Sequence, residues 1–314
     1  MEQRQIGSLD VSVVGVGCNN FGGRIDETRT REVIDAALDE GINFFDTADM
    51  YADGRSEELI GKFLGPRRRD VIIATKFGQP MPGHPGGARP EYVRQALDAS
   101  LKRLRTDYVD LYQQHVPDDT VPIADTLGAL DELVKTGKVR EIGCSNFSRQ
   151  QISDAQSAAR QKRGTARFVS VQNEYSLLHR EPEEGVLDEC EREGLAFLPF
   201  FPLKSGLLTG KYRKGQPIPE NTRVARFERY RKLLTDENLD KVESLIDYAQ
   251  SHGHTILELA ISWLLAHKVV ASVIAGASSA EQIRANVRAA DWQLRAHSLE
   301  EIDAALADVG KATA

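Results

Sequence analysis

The stretch that decides the fold runs from residue 71 to residue 115, VIIATKFGQPMPGHPGGARPEYVRQALDASLKRLRTDYVDLYQQH. It begins with a short β-rich run, VIIATK (71–76), and ends with a second one, YVDLYQQH (108–115). Between them lies a helical pattern, PEYVRQALDASLKRL (90–104), which Pro90 opens at its first turn. A strand, a helix and a strand in this order predict one βα repeat of an α/β fold.

The same alternation continues in both directions along the chain. Helical patterns such as TREVIDAALDEG (30–41) and TILELAISWLLAHK (255–268) separate the strand candidates. Several of these strands are continuous apolar runs, as expected where helices cover one side of a sheet and a packed core the other. The six further strand candidates are VSVVGVG (11–17), NFFDT (43–47), VREIGCS (139–145), FVSVQNE (168–174), LAFLPF (195–200) and VVASVIAG (269–276). Eight such units predict a parallel, eight-stranded (β/α)8 TIM barrel.

Two segments depart from the simple repeat. The first, RQIGSLDVS (4–12), predicts a small β-hairpin that closes the bottom of the barrel. The second, 213–240, is long, highly charged and contains prolines; it predicts an excursion after strand seven, followed by an extra helix around 238–252. Long loops of this kind are usually functional, although a flexible surface loop is the alternative. No linker interrupts the chain, so we expect one domain over residues 1–314.

The composition favours small-molecule ligands. With 41% hydrophobic and 28% charged residues, the 314-residue chain can bury a sizeable core, and its net charge of −7 argues against nucleic acid or anionic membrane as a partner. The amino terminus lacks a signal-peptide pattern and no run of about 18 apolar residues occurs, so a cytoplasmic location is expected. The three cysteines have neither disulfide nor zinc spacing, and His252 and His254 alone make a poor metal site, so no metal is expected.

Polar residues follow most of the predicted strands. In a (β/α)8 barrel the carboxyl ends of the strands form the active site, so these residues should face one another. A phenol is a poor acid at neutral pH, but the ammonium of Lys76 stabilises the phenolate of Tyr51 and is expected to lower its pKa. Asp46 is the carboxylate that keeps a buried Lys76 charged, and His115 can donate a hydrogen bond to a carbonyl oxygen. This set suits protonation of a carbonyl oxygen while another group attacks its carbon.

Six segments carry a resemblance that spans nearly the whole chain. They are DTADMY (46–51), ATK (74–76), LYQQH (111–115), GCSNF (143–147), VQNEYS (171–176) and PLKSGLLTGK (202–211), and they resemble the motifs of the aldo-keto reductase family. The resemblance implies a catalytic tetrad of Asp46, Tyr51, Lys76 and His115. It implies hydride transfer from NADPH to the carbonyl carbon of an aldehyde or ketone, reversible with the alcohol, with Tyr51 as general acid and base.

The resemblance also implies the residues that bind the NADPH/NADP+ cofactor. Gly17, Cys18 and Asn19 should border it together with Asp46, while Ser145, Asn146 and Gln172 should hold the nicotinamide carboxamide. Phe200 takes the place of the stacking aromatic residue. The pyrophosphate should lie along the loop that contains Phe201, Pro202, Leu203, Gly206, Leu208 and Lys211, and the adenosine end should contact Gly276, Ser278, Gln282 and Asn286, where free backbone N–H groups at a helix start suit a phosphate.

The sequence departs from the family pattern near the expected 2′-phosphate. Gly276 and Gln282 stand where many family members have lysine and arginine. Arg284 and Arg288 are candidates to replace them, and both are equally suited to solvated helix positions. The Rossmann pattern GxGxxG is absent, because the glycines of GVGCNNFGG (15–23) have other spacings.

Two alternative functions remain compatible with the fold. An NAD-dependent sugar or alcohol dehydrogenase would use the same tetrad in the oxidative direction. A non-catalytic regulatory subunit, similar to the cofactor-binding β subunits of potassium channels, is expected to carry a long amino-terminal extension or a degraded tetrad, and the sequence has neither feature. The substrate pocket is expected to be built from loops 19–25, 49–55, 77–88 and 213–235. Phe21, Tyr51, Phe77 and Phe201 are expected to give it apolar walls, which suit aromatic or aliphatic carbonyl substrates. For the oligomeric state, a monomer is expected ahead of larger assemblies.

Overall fold

The computed structural model describes residues 1–162 and 164–312, so residues 163, 313 and 314 of the expected domain lie outside it. The chain begins with a β-hairpin of β1 (Gln3–Ile6) and β2 (Leu9–Ser12), which turns at Gly7. Gly7 has a φ of 57°, a left-handed conformation that glycine adopts without steric cost. Three side chains of the hairpin, Ile6, Leu9 and Val11, are fully buried in one cluster with Phe44 and other apolar residues. The predicted hairpin at the bottom of the barrel is therefore confirmed.

Eight parallel strands form the central sheet, each pairing with its neighbour in the chain and the last pairing with the first. Phe197 also pairs with Val270, which brings the two edges of the sheet together and closes the barrel. The strands are β3 (Val14–Gly17), β4 (Phe44–Asp46), β5 (Ile72–Phe77), β6 (Val109–Gln114), β7 (Val139–Ser145), β8 (Phe168–Glu174), β9 (Ala196–Phe200) and β10 (Val273–Gly276). The (β/α)8 barrel predicted from the alternating pattern is confirmed.

Helices cover the outside of the barrel with their apolar faces inward. The helix over 90–104 has the predicted bounds, with Pro90 in its first turn. The barrel helices and the additional helices are α1 (Glu27–Asp39), α2 (Arg55–Leu64), α3 (Pro90–Leu104), α4 (Ile123–Lys135), α5 (Arg149–Gln161), α6 (Val186–Glu193), α7 (Arg223–Arg226), α8 (Glu228–Arg231), α9 (Asp236–Ser251), α10 (Ile256–Ala266), α11 (Ala280–Arg288) and α12 (Ala296–Ala312). Three 3₁₀ segments, 65–70, 181–184 and 204–209, connect elements. None of the helices in the described ranges is long and apolar enough to cross a membrane.

Two predicted strands differ from the observed ones. The run 11–17 is divided at Val13, where the chain passes from the hairpin to the barrel and the Val13 N–H donates to the Glu2 carbonyl. The run 269–276 begins as a strand only at Val273, because residues 269–271 form a separate bridge to β9: the Phe197 N–H donates to the Val269 carbonyl at 2.7 Å and the Ala271 N–H donates to the Phe197 carbonyl at 3.1 Å. The Arg4 guanidinium of the hairpin donates to the Val270 carbonyl at 2.7 Å.

The predicted excursion is confirmed as an irregular segment with two one-turn helices, α7 and α8, and the extra helix after it is α9. Thr222 and Thr235 cap the starts of α7 and α9, since each side chain accepts a backbone N–H three residues later. Arg223, in the first turn of α7, donates a hydrogen bond of 3.0 Å to the Asn20 side chain in the loop after β3. The excursion is thereby tied to the mouth of the barrel.

Candidate active site

A cavity of about 520 Å³ opens at the carboxyl ends of the barrel strands. Three of the four tetrad positions, Asp46, Tyr51 and His115, line it, while Lys76 is fully buried directly beneath its floor. Nearly all of the predicted cofactor residues also line it: Gly17, Cys18, Asn19, Ser145, Asn146, Gln172, Phe200, Phe201, Pro202, Leu203, Gly206, Lys211, Gly276, Ser278, Gln282 and Asn286. Residues from seven of the eight strand ends and from the following loops thus share one cavity.

Asp46 and Lys76 form a buried ion pair because β4 and β5 are parallel neighbours. The Lys76 ammonium donates to both carboxylate oxygens of Asp46, at 2.6 Å to Oδ2, and to the Thr47 carbonyl at 2.8 Å. Burial opposes the charge of Lys76, but the charge of Asp46 and the hydrogen bonds that the ammonium donates outweigh it and raise the pKa of Lys76. The ammonium is therefore charged at every physiological pH.

Tyr51 stands above this pair on the loop between β4 and α2. The Lys76 Nζ atom lies 5.2 Å from the centroid of the Tyr51 ring, and the His115 ring meets it edge-on at a centroid distance of 6.0 Å. Burial raises the pKa of Tyr51, and the Lys76 charge acts in the opposite direction without reversing the shift. The expected net lowering of this pKa is therefore not found, and the phenol is protonated at neutral pH.

His115 is a neutral group at the cavity wall. Burial, and then the positive charge of Lys76, lower the pKa of His115 to about 3. The Nδ1 atom has no hydrogen-bond partner among the described residues, whereas the backbone of His115 is fixed on both sides by Phe77 and Asn146. A neutral imidazole in this position can donate one N–H to a ligand oxygen in the cavity.

The three residues expected at the carboxamide form a connected set at the ends of β7 and β8. The Ser145 hydroxyl donates to the Gln172 carbonyl at 2.7 Å, and the Asn146 amide donates to Ser145 at 3.1 Å. The Gln172 amide donates to Asp46 at 3.0 Å, so Gln172 also contacts the ion pair. This contact was not foreseen from the sequence, and it couples the expected cofactor residues to the Asp46 and Lys76 pair.

The loop after β9 turns sharply around the cavity. Phe201, Lys204 and Ser205 all have positive φ, and so does Gly206 at 100°. This turn directs Leu208 away from the cavity into the hydrophobic core, where it is fully buried. Leu208 is thus the one residue of the predicted cofactor loop whose side chain does not line the cavity.

At the other end of the cavity, the start of α11 differs from expectation in one respect. The Ser278 N–H, expected to be free, donates to the Gln282 side chain at 2.8 Å. Gln282 must turn away before this N–H can bind a phosphate. The Asn286 side chain is 3% exposed, and its Nδ2 atom has no partner among the described residues. Neither Arg284, which pairs with Glu40, nor Arg288 lines the cavity.

Two arginines that the sequence interpretation did not select line the cavity instead. Arg24 follows β3, Arg223 begins α7, and Lys211 lies in the same cavity. Among the described residues, none of the three cations has a carboxylate partner. Burial and the charges of Arg223 and Arg226 lower the pKa of Arg24, which reflects repulsion between neighbouring cations. Such a cluster favours an anionic ligand.

Comparison with known proteins places this geometry in a family. A model described as the aldo/keto reductase family matches residues 13–307. The chain belongs to the aldo-keto reductase family. It is 37% identical to a probable voltage-gated potassium channel subunit beta of Arabidopsis thaliana, over 93% of this chain and 92% of that one. It is 35% identical to the L-glyceraldehyde 3-phosphate reductase of Escherichia coli K12, over 92% and 87%.

The structure of another family member superposes on almost the whole chain. The holo form of aldo-keto reductase AKR11C1 from Bacillus halodurans matches with a TM-score of 0.80 and 34% identity, covering 97% of this chain and 96% of that one. The chain therefore has the fold of an oxidoreductase family whose members typically use a nicotinamide cofactor and act on small carbonyl compounds.

Proposed function

We propose that this aldo-keto reductase reduces aldehydes and ketones with NADPH, reversibly with the alcohols, and that Tyr51 is its general acid and base. The observation that carries the proposal is the placement of Tyr51 over a lysine that is itself fixed by a buried carboxylate. Lys76 donates to Asp46 and to the Thr47 carbonyl, and its charge lies 5.2 Å from the Tyr51 ring. A phenol held in this way can release a proton to an adjacent oxygen, because the ammonium stabilises the phenolate that remains.

Tyr51, Lys76 and His115 have separate roles in the proposed reaction. When bound, the reduced nicotinamide supplies the hydride that attacks the carbonyl carbon. His115 is neutral at physiological pH and donates a hydrogen bond that orients the carbonyl oxygen. Tyr51 gives its proton to that oxygen as charge develops there, and the Lys76 ammonium compensates the phenolate. In the oxidative direction Tyr51 takes the proton back from the alcohol; its raised pKa keeps the phenol protonated at neutral pH, which is the form that reduction needs.

The cavity residues fit a nicotinamide dinucleotide. Ser145, Asn146 and Gln172 offer hydroxyl and amide groups suited to the carboxamide at the tyrosine end. At the other end the buried Nδ2 atom of Asn286 lacks a partner among the described residues and can donate to the adenosine part. A cavity of about 520 Å³ is within the range of sites for ligands of this size.

The preference for NADP is supported by the cations of the loops and not by α11. Arg24, Arg223 and Lys211 converge on the cavity without carboxylate partners among the described residues, whereas Gln282 and Gly276 are uncharged. Phosphate oxygens are the ligands that arginine binds best, through charge-assisted hydrogen bonds. We therefore assign the pyrophosphate and the 2′-phosphate to this cluster.

The test follows the absorbance of the reduced nicotinamide after purified protein is mixed with 4-nitrobenzaldehyde, in parallel reactions with NADPH and with NADH. We expect consumption of NADPH well above that of NADH. The Tyr51→Phe variant should lose about 10²- to 10⁴-fold in kcat and retain NADPH affinity by fluorescence titration, because the change removes a proton donor and no cofactor contact. Equal loss of turnover and of NADPH affinity would contradict the assignment of Tyr51.

Two named relatives define the alternatives that the same assay separates. One relative is an L-glyceraldehyde 3-phosphate reductase, so glyceraldehyde 3-phosphate belongs in the substrate panel beside aromatic aldehydes. Turnover of the sugar phosphate alone would replace the broad apolar substrate class with a phosphorylated one. Another relative is a probable potassium channel subunit beta. NADPH binding without turnover of any panel member would favour such a regulatory role.

A further inference from the structure

One carboxylate of the tyrosine loop has no place in the mechanism above. Asp49 stands between Asp46 and Tyr51 in the chain, but its side chain does not line the cavity. It is 1% exposed, and neither of its carboxylate oxygens has a hydrogen-bond partner of good geometry among the described residues. Buried polar groups are almost always hydrogen-bonded, and a buried carboxylate without a partner is costly. Asp49 therefore calls for a physical explanation.

The surroundings of Asp49 explain why it lacks a counter-ion. Glu57 in α2 is fully buried beside it, and both oxygens of Glu57 are already bonded, to the Thr75 hydroxyl and to Arg103 in α3, each at 2.6 Å. Arg103 therefore forms its ion pair with Glu57 and not with Asp49. Lys76 in β5 also acts on Asp49, but its ammonium is bonded to Asp46 and Thr47. Each nearby cation already has another partner.

The remaining titratable neighbours are two tyrosines that stay neutral. Tyr92 in α3 and Tyr112 in β6 both have a raised pKa, through burial and then the charge of Asp49. With Glu57 beside it, Asp49 faces one fixed negative charge, two neutral phenols and two cations that are engaged elsewhere. Burial, and then the charge of Glu57, raise the pKa of Asp49 to about 7, against the opposing effects of the Met50 backbone N–H and of the Arg103 and Lys76 charges. A carboxyl with this pKa titrates near neutral pH.

Asp49 also carries the last backbone hydrogen bond to β5 before Tyr51. The segment is fixed to β5 by two backbone hydrogen bonds, from Thr47 to the Ala74 carbonyl at 2.8 Å and from Asp49 to the Lys76 carbonyl at 3.2 Å. Immediately after Tyr51 the chain passes through three left-handed residues, 52–54. Strained backbone of this kind persists only when its surroundings hold it. A charge that expels the Asp49 side chain would release Tyr51 from its position over Lys76.

We propose that Asp49 is a positioning residue for Tyr51, whose protonated side chain keeps residues 47–51 seated on β5 and whose ionisation loosens that seat. In the protonated form the carboxyl is neutral and fits the buried site between α2 and α3. In the ionised form it is an unpaired charge beside Glu57, and the segment gains by exposing it to water. The proposal rests on the assignment of Tyr51 as proton donor, and it predicts that carbonyl reduction slows as the pH rises through 7.

The experiment compares pH profiles of kcat/KM for 4-nitrobenzaldehyde reduction between pH 5.5 and 9. The wild type should lose about fivefold between pH 7 and pH 8, as expected for one ionisation near 7 that abolishes activity. Asp49→Asn cannot ionise and should keep its activity at pH 6 within about twofold while losing this fall. Asp53→Asn is the matched control, because Asp53 is exposed on the same loop and asparagine tolerates its left-handed backbone. This control should retain the fall.

A second readout does not depend on turnover. Hydrogen-exchange protection of the Asp49 and Tyr51 amides should decrease above pH 7 in the wild type and in Asp53→Asn, and stay constant in Asp49→Asn. If the protein turns over no carbonyl but this exchange pattern appears, the proposed function fails and the positioning role stands. If Asp49→Asn keeps the fall in rate, or if protection does not change through pH 7, the positioning role is wrong.

Discussion

Lys76→Met tests whether the buried ion pair of Asp46 and Lys76 contributes to the stability of the fold as well as to the proposed chemistry. In the wild type, Lys76 is fully buried and Asp46 is 3% exposed. Removing the ammonium leaves the Asp46 carboxylate with one donor among the described residues, the Gln172 amide at 3.0 Å. Breaking a buried pair from one side typically costs 3–5 kcal/mol, because the other charge stays behind without compensation. We expect a loss of about 3–5 kcal/mol in the free energy of unfolding.

The assay is equilibrium unfolding in urea without cofactor, for single and double variants. Asp46→Asn with Lys76→Met removes both charges and should recover most of the lost free energy, because no buried charge remains unpaired. It should not recover activity. Lys62→Met provides the control, since Lys62 is exposed and pairs with exposed Glu27, and its unfolding midpoint should stay near that of the wild type. A Lys76→Met variant that unfolds at the wild-type urea concentration would refute the reasoning.

Three further predictions follow from the same structure. Arg223→Ala should weaken NADPH binding by about tenfold to hundredfold, measured by fluorescence titration, because a charge-assisted contact is lost. The control is Arg226→Ala, an exposed arginine of the same helix outside the cavity lining; it should weaken binding far less, because only its charge reaches the cluster. Urea unfolding across pH should show a higher free energy of unfolding for Asp49→Asn than for the wild type. The difference between the two should grow from about pH 4 to pH 7 and then stay constant at up to about 4 kcal/mol. The sign follows because the folded pKa of about 7 lies above the unfolded value of about 3.9, so stability present below pH 4 is lost as the pH rises to 7. Ala52→Gly should raise the Tm, because Ala52 has a φ of 50° and glycine avoids a left-handed cost of about 1 kcal/mol; an unchanged or lower Tm would mean that the loop gains nothing from the relief.

The barrel could be predicted because local pattern and tertiary packing agree. The runs 139–145 and 168–174 have the predicted bounds in β7 and β8, since each is apolar enough to be buried between the barrel interior and the helices. The pattern was less informative where a distant segment takes over backbone groups. The strand predicted from residue 269 begins at Val273, because residues 269–271 bridge to Phe197 in β9, and Arg4, near the other end of the chain, donates to the Val270 carbonyl. No local periodicity reports such a contact.

Some residues of the candidate site could likewise be predicted from the sequence, and others could not. Asp46, Lys76 and His115 were found because parallel strands bring their carboxyl ends together, a rule that needs only the strand assignments. Arg24 and Arg223 were not predicted, because Arg24 lies in the loop after β3 and Arg223 in a one-turn helix of the excursion, and several of their sequence neighbours are also arginines with other roles. Arg226 and Arg229 are examples, the first outside the cavity lining and the second stacked on Tyr230. Only the three-dimensional arrangement distinguishes the cations that face the cavity.

The backbone around the cavity has left-handed conformations at residues whose types do not predict them. Among the described residues, eight that are not glycine have positive φ, and six of them belong to three loops that border the cavity: Ala52, Asp53, Asn146, Phe201, Lys204 and Ser205. Alanine, phenylalanine and lysine give no sequence signal for this conformation, because they adopt it only at a cost. The chain therefore holds strained backbone where Tyr51 and the cofactor residues must be placed. The buried barrel core beneath these loops supplies the stability that holds the strained residues in position.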